Sequence, residues 1–78
     1  MADRDPVQIM VGGALRSVRL QRGMTQERLA AACGMHPTYI SDVERGARNP
    51  SWKAIVRLAR GLDVPVATIA AAFDELAG

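Results

Sequence analysis

The chain has 78 residues, of which 49% are hydrophobic and 23% are charged, with a formal net charge of +2 at pH 7. This length and apolar content favour one small packed domain and exclude a disordered chain. No signal-peptide pattern and no apolar run long enough to cross a bilayer is present, so we expect a cytoplasmic protein without membrane association.

Residue types that support catalysis or metal binding are scarce. The chain has one cysteine, Cys33, and one histidine, His36, which excludes a disulfide framework and a Cys/His metal set. No paired carboxylates are expected in a plausible cleft, and the sequence has no phosphate-binding glycine loop. We therefore expect neither an enzyme nor a cofactor, and we interpret Cys33 as a small buried apolar residue.

The first predicted helix follows a polar segment, residues 1–5, that is expected to fray. Pro6 suits a helix start, and apolar residues then recur at helical spacing as far as Val18. Gly12 and Gly13 disfavour helix, so the stable part is expected to begin after them. Gly23 ends the helix. The basic residues Arg16 and Arg22 of this first helix are predicted to be solvated.

The second and third predicted helices are short and closely spaced. Thr25 is a suitable N-cap for the second helix, and Gly34 is suited to end it. Pro37 fits the first turn of the third helix, which should run to about Arg45 and stop at Gly46. So short a turn requires a steep crossing and therefore small residues at the contact, which predicts a helix-turn-helix over about residues 25–46.

Two further helices complete the chain. Ser51 is predicted to cap a helix over about residues 52–62, whose inner residues are Ile55, Leu58, Ala59 and Leu62. A turn at Asp63-Val64-Pro65 leads to a last helix over about residues 66–76. Its apolar side carries Val66, Ile69, Ala70, Phe73 and Leu76, of which part must close the core.

Three stretches, GMTQERLAAACG, YISDVERG and RNPS, resemble the Cro/repressor-type (XRE family) helix-turn-helix domains of phage repressors and small bacterial regulators. The resemblance extends loosely over about residues 13–73. It implies an all-α fold: a compact five-helix, lambda-repressor-like bundle, with residues 1–78 forming a single DNA-binding domain. Restriction–modification controllers, antitoxins and small phage regulators are typical stand-alone proteins of this kind.

The resemblance implies a sequence-specific regulator of transcription that binds double-stranded DNA, with the second motif helix in the major groove. Counting 100° per residue from a buried Ile40 places Thr38, Asp42 and Arg45 on the outward side of that helix. The same count places His36, Val43, Glu44 and Ala47 near the buried side. The candidate base-reading residues are Pro37, Thr38, Ser41 and Asp42.

Asp42 has two interpretations. A carboxylate is repelled by phosphates but can accept a hydrogen bond from cytosine N4. Alternatively, Asp42 pairs with Arg45 or Arg48 and orients it, the role that we favour.

The candidate phosphate contacts surround this helix: Gln26, Tyr39, Arg45, Arg48, Asn49, Ser51 and Lys53. Gln26 is included because the family uses this position for the purpose. For Trp52 we expect packing on the fold, with stacking against the DNA backbone as the alternative.

The family also pairs an arginine of the first helix with the glutamate before the motif glycine, which here are Arg19 and Glu44. We therefore expect a structural ion pair, which could in addition direct Arg19 toward a phosphate. An unpaired carboxylate near the core would be costly.

Comparable domains often dimerise through the last helix, which makes Ile69, Phe73 and Leu76 candidate interface residues. We expect a homodimer on an inverted repeat, the alternative being a monomer with a wholly buried apolar side. RNA polymerase or a toxin could be a further partner. The competing function is an antitoxin or adaptor that uses this fold mainly to bind protein. Either would act in a bacterial or phage-infected cell, in association with the nucleoid.

Overall fold

Five α-helices joined by short turns make up residues 5–78, the part of the chain that the computed structural model describes. They are α1 (Pro6–Gln21), α2 (Gln26–Cys33), α3 (Pro37–Glu44), α4 (Trp52–Leu62) and α5 (Val66–Ala77). Residues 5–78 contain no strand, and the predicted all-α, five-helix architecture is confirmed. None of these helices is both long enough and apolar enough to span a membrane.

The first helix is continuous from Pro6, which corrects the expectation that its stable part begins after the glycines. Asp5, predicted to fray, is the N-cap: its carboxylate accepts a hydrogen bond from the backbone N–H of Val7 at 2.7 Å. The rest of the predicted frayed segment, residues 1–4, lies outside the described residues. Gly12 lies where α1 crosses α3, and this close approach requires a glycine. Any Cβ at this position would lie 2.1 Å from the carbonyl oxygen of Val43.

The ends of the other helices follow local side-chain chemistry. The hydroxyl of Thr25 accepts the N–H of Arg28 at 3.0 Å, and the hydroxyl of Ser51 accepts the N–H of Ala54 at 3.0 Å. Gly34 ends α2 in the left-handed conformation, with φ of 67°. Such caps satisfy backbone groups that a helix terminus leaves unpaired. The predicted boundaries of α2, α3 and α4 therefore agree with the structure to within a residue.

The core lies where the inner faces of all five helices meet. Helix α1 packs against α3 and α5, α2 packs against α3 and α4, and α4 also contacts α5. The largest fully buried side chains are Leu15, Val18, Leu29, Ile40, Val43, Leu58 and Leu62. Burying side chains of this size is the main source of stability in so small a domain. Because α1 and α4 flank the motif, they hold α2 and α3 in place.

Three residues near α3 and α4 are more exposed than the sequence predicted. His36 and Ala47 are both exposed, because α3 comprises only residues 37–44 and neither residue belongs to it. Trp52 is 71% exposed and does not pack into the fold. It occupies the first position of α4, one turn before buried Ile55, where the neighbouring helices no longer cover the inner face.

Candidate nucleic-acid interface

The two motif helices are joined by a three-residue turn, residues 34–36. The N–H of Met35 donates to the carbonyl oxygen of Ala30 at 2.9 Å, which closes the end of α2. The turn is also held from α4: Arg57 donates to the carbonyl oxygens of Cys33 and Gly34 at 2.8 and 3.0 Å. These carbonyls sit at the negative end of α2, so a cation stabilises them. The relative position of α2 and α3 is thus fixed from a third helix.

A buried ion pair connects α1 with the end of α3. Nε of Arg19 lies 2.6 Å from Oε2 of Glu44, and Nη2 lies 2.9 Å from Oε1. Nη1 of Arg19 donates to the carbonyl oxygen of Met24 at 2.8 Å, and the amide of Gln26 donates to Glu44 at 3.1 Å. The hydrogen bond to Glu44 raises the pKa of the Arg19 guanidinium above its usual value.

This is the pair that the resemblance implied, and its surroundings make it structural. Arg19 is only 7% exposed and is bound through three of its nitrogens, so the additional role of directing it toward a phosphate does not fit the structure. A two-point contact between guanidinium and carboxylate also fixes the relative orientation of the two side chains. The ion pair therefore determines how α3 is presented to solvent.

The outward face of α3 is polar, and its members differ in accessibility. Thr38 and Arg45 are exposed, whereas Pro37, Ser41 and Asp42 are half-buried. Asp42 accepts a hydrogen bond from Nη2 of Arg45, so the interpretation of Asp42 as a partner for an arginine holds in the structure. At the start of the helix, Nδ1 of His36 accepts the backbone N–H of Thr38 at 3.1 Å, which makes His36 the N-cap. Sequence reasoning placed His36 toward the buried side and missed this role.

Most of the residues predicted to contact phosphate lie around α3 on the surface. Arg48, Asn49, Ser51 and Lys53 are exposed in the loop after α3 and at the start of α4. The guanidinium of Arg48 lies over the ring of Tyr39, 5.4 Å from its centroid, in a cation–π contact that leaves the positive charge available. The Tyr39 ring itself packs partly against the core. Gln26 is half-buried, with its amide directed toward Glu44.

Two further contacts position these elements and had no signal in the sequence. Gln8 donates from its side chain to the carbonyl oxygen of Gly46 at 2.8 Å, which ties α1 to the turn after α3. Arg22, predicted to be solvated, donates to the carbonyl oxygen of Leu62 at 3.0 Å and lies 3.9 Å from the Asp63 carboxylate. Both partners are about forty residues away in the chain, and spacing patterns report only on neighbours.

The one cysteine, Cys33, is the last residue of α2, beside the turn of the motif. Cys33 is half-buried and its thiol donates to the carbonyl oxygen of Leu29 at 3.0 Å. Burial raises the pKa of the Cys33 thiol, which favours the unreactive protonated form. Residues 5–78 hold no cluster of three or more His, Cys, Asp or Glu side chains that could bind a metal ion.

These features together define the class of the protein. A five-helix bundle that presents the second helix of a helix-turn-helix outward, with a polar face and basic residues beside it, is a DNA-binding domain of the helix-turn-helix class. A family model described as "Helix-turn-helix domain" matches residues 11–72.

Similarity to known proteins identifies the helix-turn-helix domain as that of a transcriptional regulator. The control protein C.BamHI of Bacillus amyloliquefaciens is 42% identical over 59 residues, which cover 74% of this chain and 73% of that protein. The restriction–modification controller C.Esp1396I, solved as a tetramer with its natural 35 base-pair operator, superposes with a TM-score of 0.84 at 32% identity, covering 95% of this chain and 99% of that one. The clp gene regulator ClgR of C. glutamicum superposes with a TM-score of 0.88 at 28% identity, covering 95% and 96%. The chain belongs to the helix-turn-helix family of transcriptional regulators.

Proposed function

We propose that the protein binds a specific operator in double-stranded DNA as a homodimer, with α3 of each protomer in the major groove. The observation that carries this proposal is the outward face of α3, which is polar and is held by the Arg19–Glu44 ion pair behind it. A helix whose orientation is fixed can place hydroxyl and carboxylate groups against base edges. Within this face, Pro37, Thr38 and Ser41 are the proposed base-reading residues, whereas Asp42 is proposed to act through its pair with Arg45.

Phosphate contacts would come from both sides of α3. On one side are Arg48, Asn49, Ser51 and Lys53, with Tyr39 beneath Arg48. Ser51 is the N-cap of α4, where its hydroxyl oxygen accepts the N–H of Ala54, and the first backbone N–H groups of α4 point out of this helix end, where an anion can bind. On the other side is Gln26 at the start of α2. Such contacts set the register of a protein on DNA and supply most of its salt-dependent affinity.

The proposed dimer interface lies on α5 and the helices beside it. Leu76 is 52% exposed, and Phe73 lines an apolar groove of about 340 Å³ together with Val7, Trp52 and Val66. Ile69, the third predicted interface residue, is 4% exposed within the core, so it supports α5 from inside instead. A second copy would cover these side chains and place two α3 helices on neighbouring half-sites.

Regulation would follow from occupancy of the operator, without catalysis, in the cytoplasm of a bacterial or phage-infected cell. The controller C.Esp1396I binds its operator as a tetramer, which supports cooperative assembly as the mode of control for this chain as well. RNA polymerase is the proposed further partner where the operator overlaps a promoter.

The test is selection from a randomised duplex pool, followed by sequencing of the bound DNA. We expect enrichment of an inverted repeat whose half-site centres lie about one helical turn apart. Enrichment of a single half-site would preserve specific recognition and contradict the dimer. Absence of enrichment at moderate salt would overturn the proposal and favour a protein-interaction role.

A further inference from the structure

An acidic side chain on the DNA-facing side of α3 holds one of the basic residues beside it. Nη2 of Arg45, the C-cap residue of α3, donates to Oδ1 of Asp42, which lies three residues earlier in the chain. The Arg45 side chain is 57% exposed and that of Asp42 is 24% exposed, so both are accessible from the side that faces DNA. Within residues 5–78, Arg48 makes no ion pair with a carboxylate, and its guanidinium lies over the Tyr39 ring instead.

We propose that the Asp42–Arg45 pair is a determinant of selectivity, because it withholds the charge of Arg45 from the phosphates of DNA that is not the operator. The inference rests on the proposed function and deepens it. Asp42 would act by lowering sequence-independent affinity, which is a different role from reading a base.

The physical reason is the different origin of the two kinds of binding. Sequence-independent binding comes essentially from phosphate contacts, whereas operator binding also depends on base contacts. In a loosely seated complex, an Arg45 side chain that Asp42 no longer binds can turn toward the nearest phosphate. Base contacts hold α3 in one position on the operator, and Arg45 then has less freedom to gain a phosphate. Neutralising Asp42 should therefore strengthen binding to unrelated DNA more than binding to the operator.

The experiment measures the affinity of the wild type and of Asp42→Asn for the selected operator and for a scrambled duplex, at several salt concentrations. For Asp42→Asn we expect affinity for the scrambled duplex to rise roughly fivefold, with a salt slope steeper by about 0.9, which corresponds to one added phosphate contact. Affinity for the operator should rise less, so the ratio of operator affinity to scrambled-duplex affinity should fall. Glu75→Gln, the same change of charge at an exposed position on α5, should leave the ratio unchanged.

A second pair of variants tests whether Asp42 acts through Arg45. Adding Asp42→Asn to Arg45→Gln should produce no further gain on the scrambled duplex. Arg45→Gln alone should weaken binding to that duplex less than Arg48→Gln does, because within residues 5–78 a carboxylate binds Arg45, whereas Arg48 lies over an aromatic ring. These comparisons use proteins whose urea midpoints match the wild type.

Each contrary outcome has a distinct meaning. An equal gain on both duplexes would reduce Asp42 to uniform repulsion and overturn the inference. A gain that persists in the Arg45→Gln background would overturn the role of the pair. A changed base preference at one position, without a gain on scrambled DNA, would assign Asp42 to base reading. If the wild type prefers no duplex at all, the proposed function fails and the inference fails with it.

Discussion

Glu44 shows how one side chain can determine the presentation of a recognition helix. It accepts hydrogen bonds from two nitrogens of Arg19 and from the amide of Gln26, and its side chain is 2% exposed. The carboxylate is therefore fully engaged at a place that water does not reach. A buried charge of this kind is tolerated only while its partners remain.

Removing one member of this pair should destabilise the protein more than removing both. We expect Arg19→Met to lower the free energy of unfolding by about 3 kcal/mol, because it leaves the Glu44 carboxylate buried and uncompensated. The double variant Arg19→Met/Glu44→Met should recover part of that loss. Urea denaturation followed by circular dichroism measures the unfolding free energies of Arg19→Met, Glu44→Met and the double variant. A double variant that loses the sum of the two single effects would contradict this explanation.

Arg48 is the basic residue best placed to report on phosphate binding. Its contact with the Tyr39 ring restricts the side chain without neutralising it. We expect Arg48→Ala to weaken binding to every duplex and to flatten the dependence of log affinity on log salt by about 0.9. Arg60→Ala is the matched control, because Arg60 is exposed in the last turn of α4, more than two turns from the Ser51 cap. Equal slopes for the two variants would remove Arg48 from the interface.

At the scale of elements, the crossing of α1 and α3 is the contact that allows the bundle to close. The two helices approach so closely at Gly12 that any side chain would meet backbone atoms of Val43 and Glu44. Backbone cannot move aside without moving the helix that carries the proposed recognition face. The neighbouring Gly13 is different, because its added Cβ would meet only the end of the Leu76 side chain, at 3.1 Å.

The two adjacent glycines should therefore differ strongly in their response to the same substitution. We expect Gly12→Ala to cost about 3 kcal/mol of unfolding free energy, through steric conflict with α3. Gly13→Ala should stay within about 1 kcal/mol of the wild type, because the gain in helix propensity offsets a small shift of Leu76. Thermal or urea unfolding of both variants provides the comparison. Similar losses in the two would show that helix continuity, and not the close approach, is what matters.

At the scale of the whole molecule, the domain leaves apolar surface at the side formed by the start of α1, the start of α4 and the outer part of α5. Val7 is 54% exposed and Trp52 is 71% exposed, and both line the apolar groove, while Leu76 is 52% exposed near the end of α5. Contiguous apolar surface is more typical of an interaction site than of a free surface. This distribution supports the assignment of α5 to the proposed dimer.

Leu76→Lys should therefore convert a dimer to a monomer without unfolding the protein. A lysine at the end of a helix is favourable there, so the fold should not be penalised. Leu20→Lys is the control, because Leu20 is 53% exposed on α1, against 52% for Leu76. Sedimentation equilibrium measures the mass of each variant, and the urea midpoint confirms folding. A wild type that is monomeric at all concentrations, or a Leu76→Lys variant that still dimerises, would exclude this interface.

The sequence by itself determined where α2 begins and ends and where α4 begins, because caps act over three or four residues. Thr25, Gly34 and Ser51 perform the terminal roles that their chemistry predicts. The sequence also predicted the helix-turn-helix and, through family resemblance, the pairing of Arg19 with Glu44. These features could be predicted because they depend mainly on residues that are close together in the sequence.

Only the tertiary structure decided the contacts that join distant segments. Gly12 weakens a helix in isolation, yet it permits the approach of α3. Arg57 caps the end of α2, and Trp52 at the start of α4 is 71% exposed. None of these could be predicted from spacing, because burial and long-range hydrogen bonds depend on which helix arrives opposite a residue, and that is settled by the packing of the whole chain.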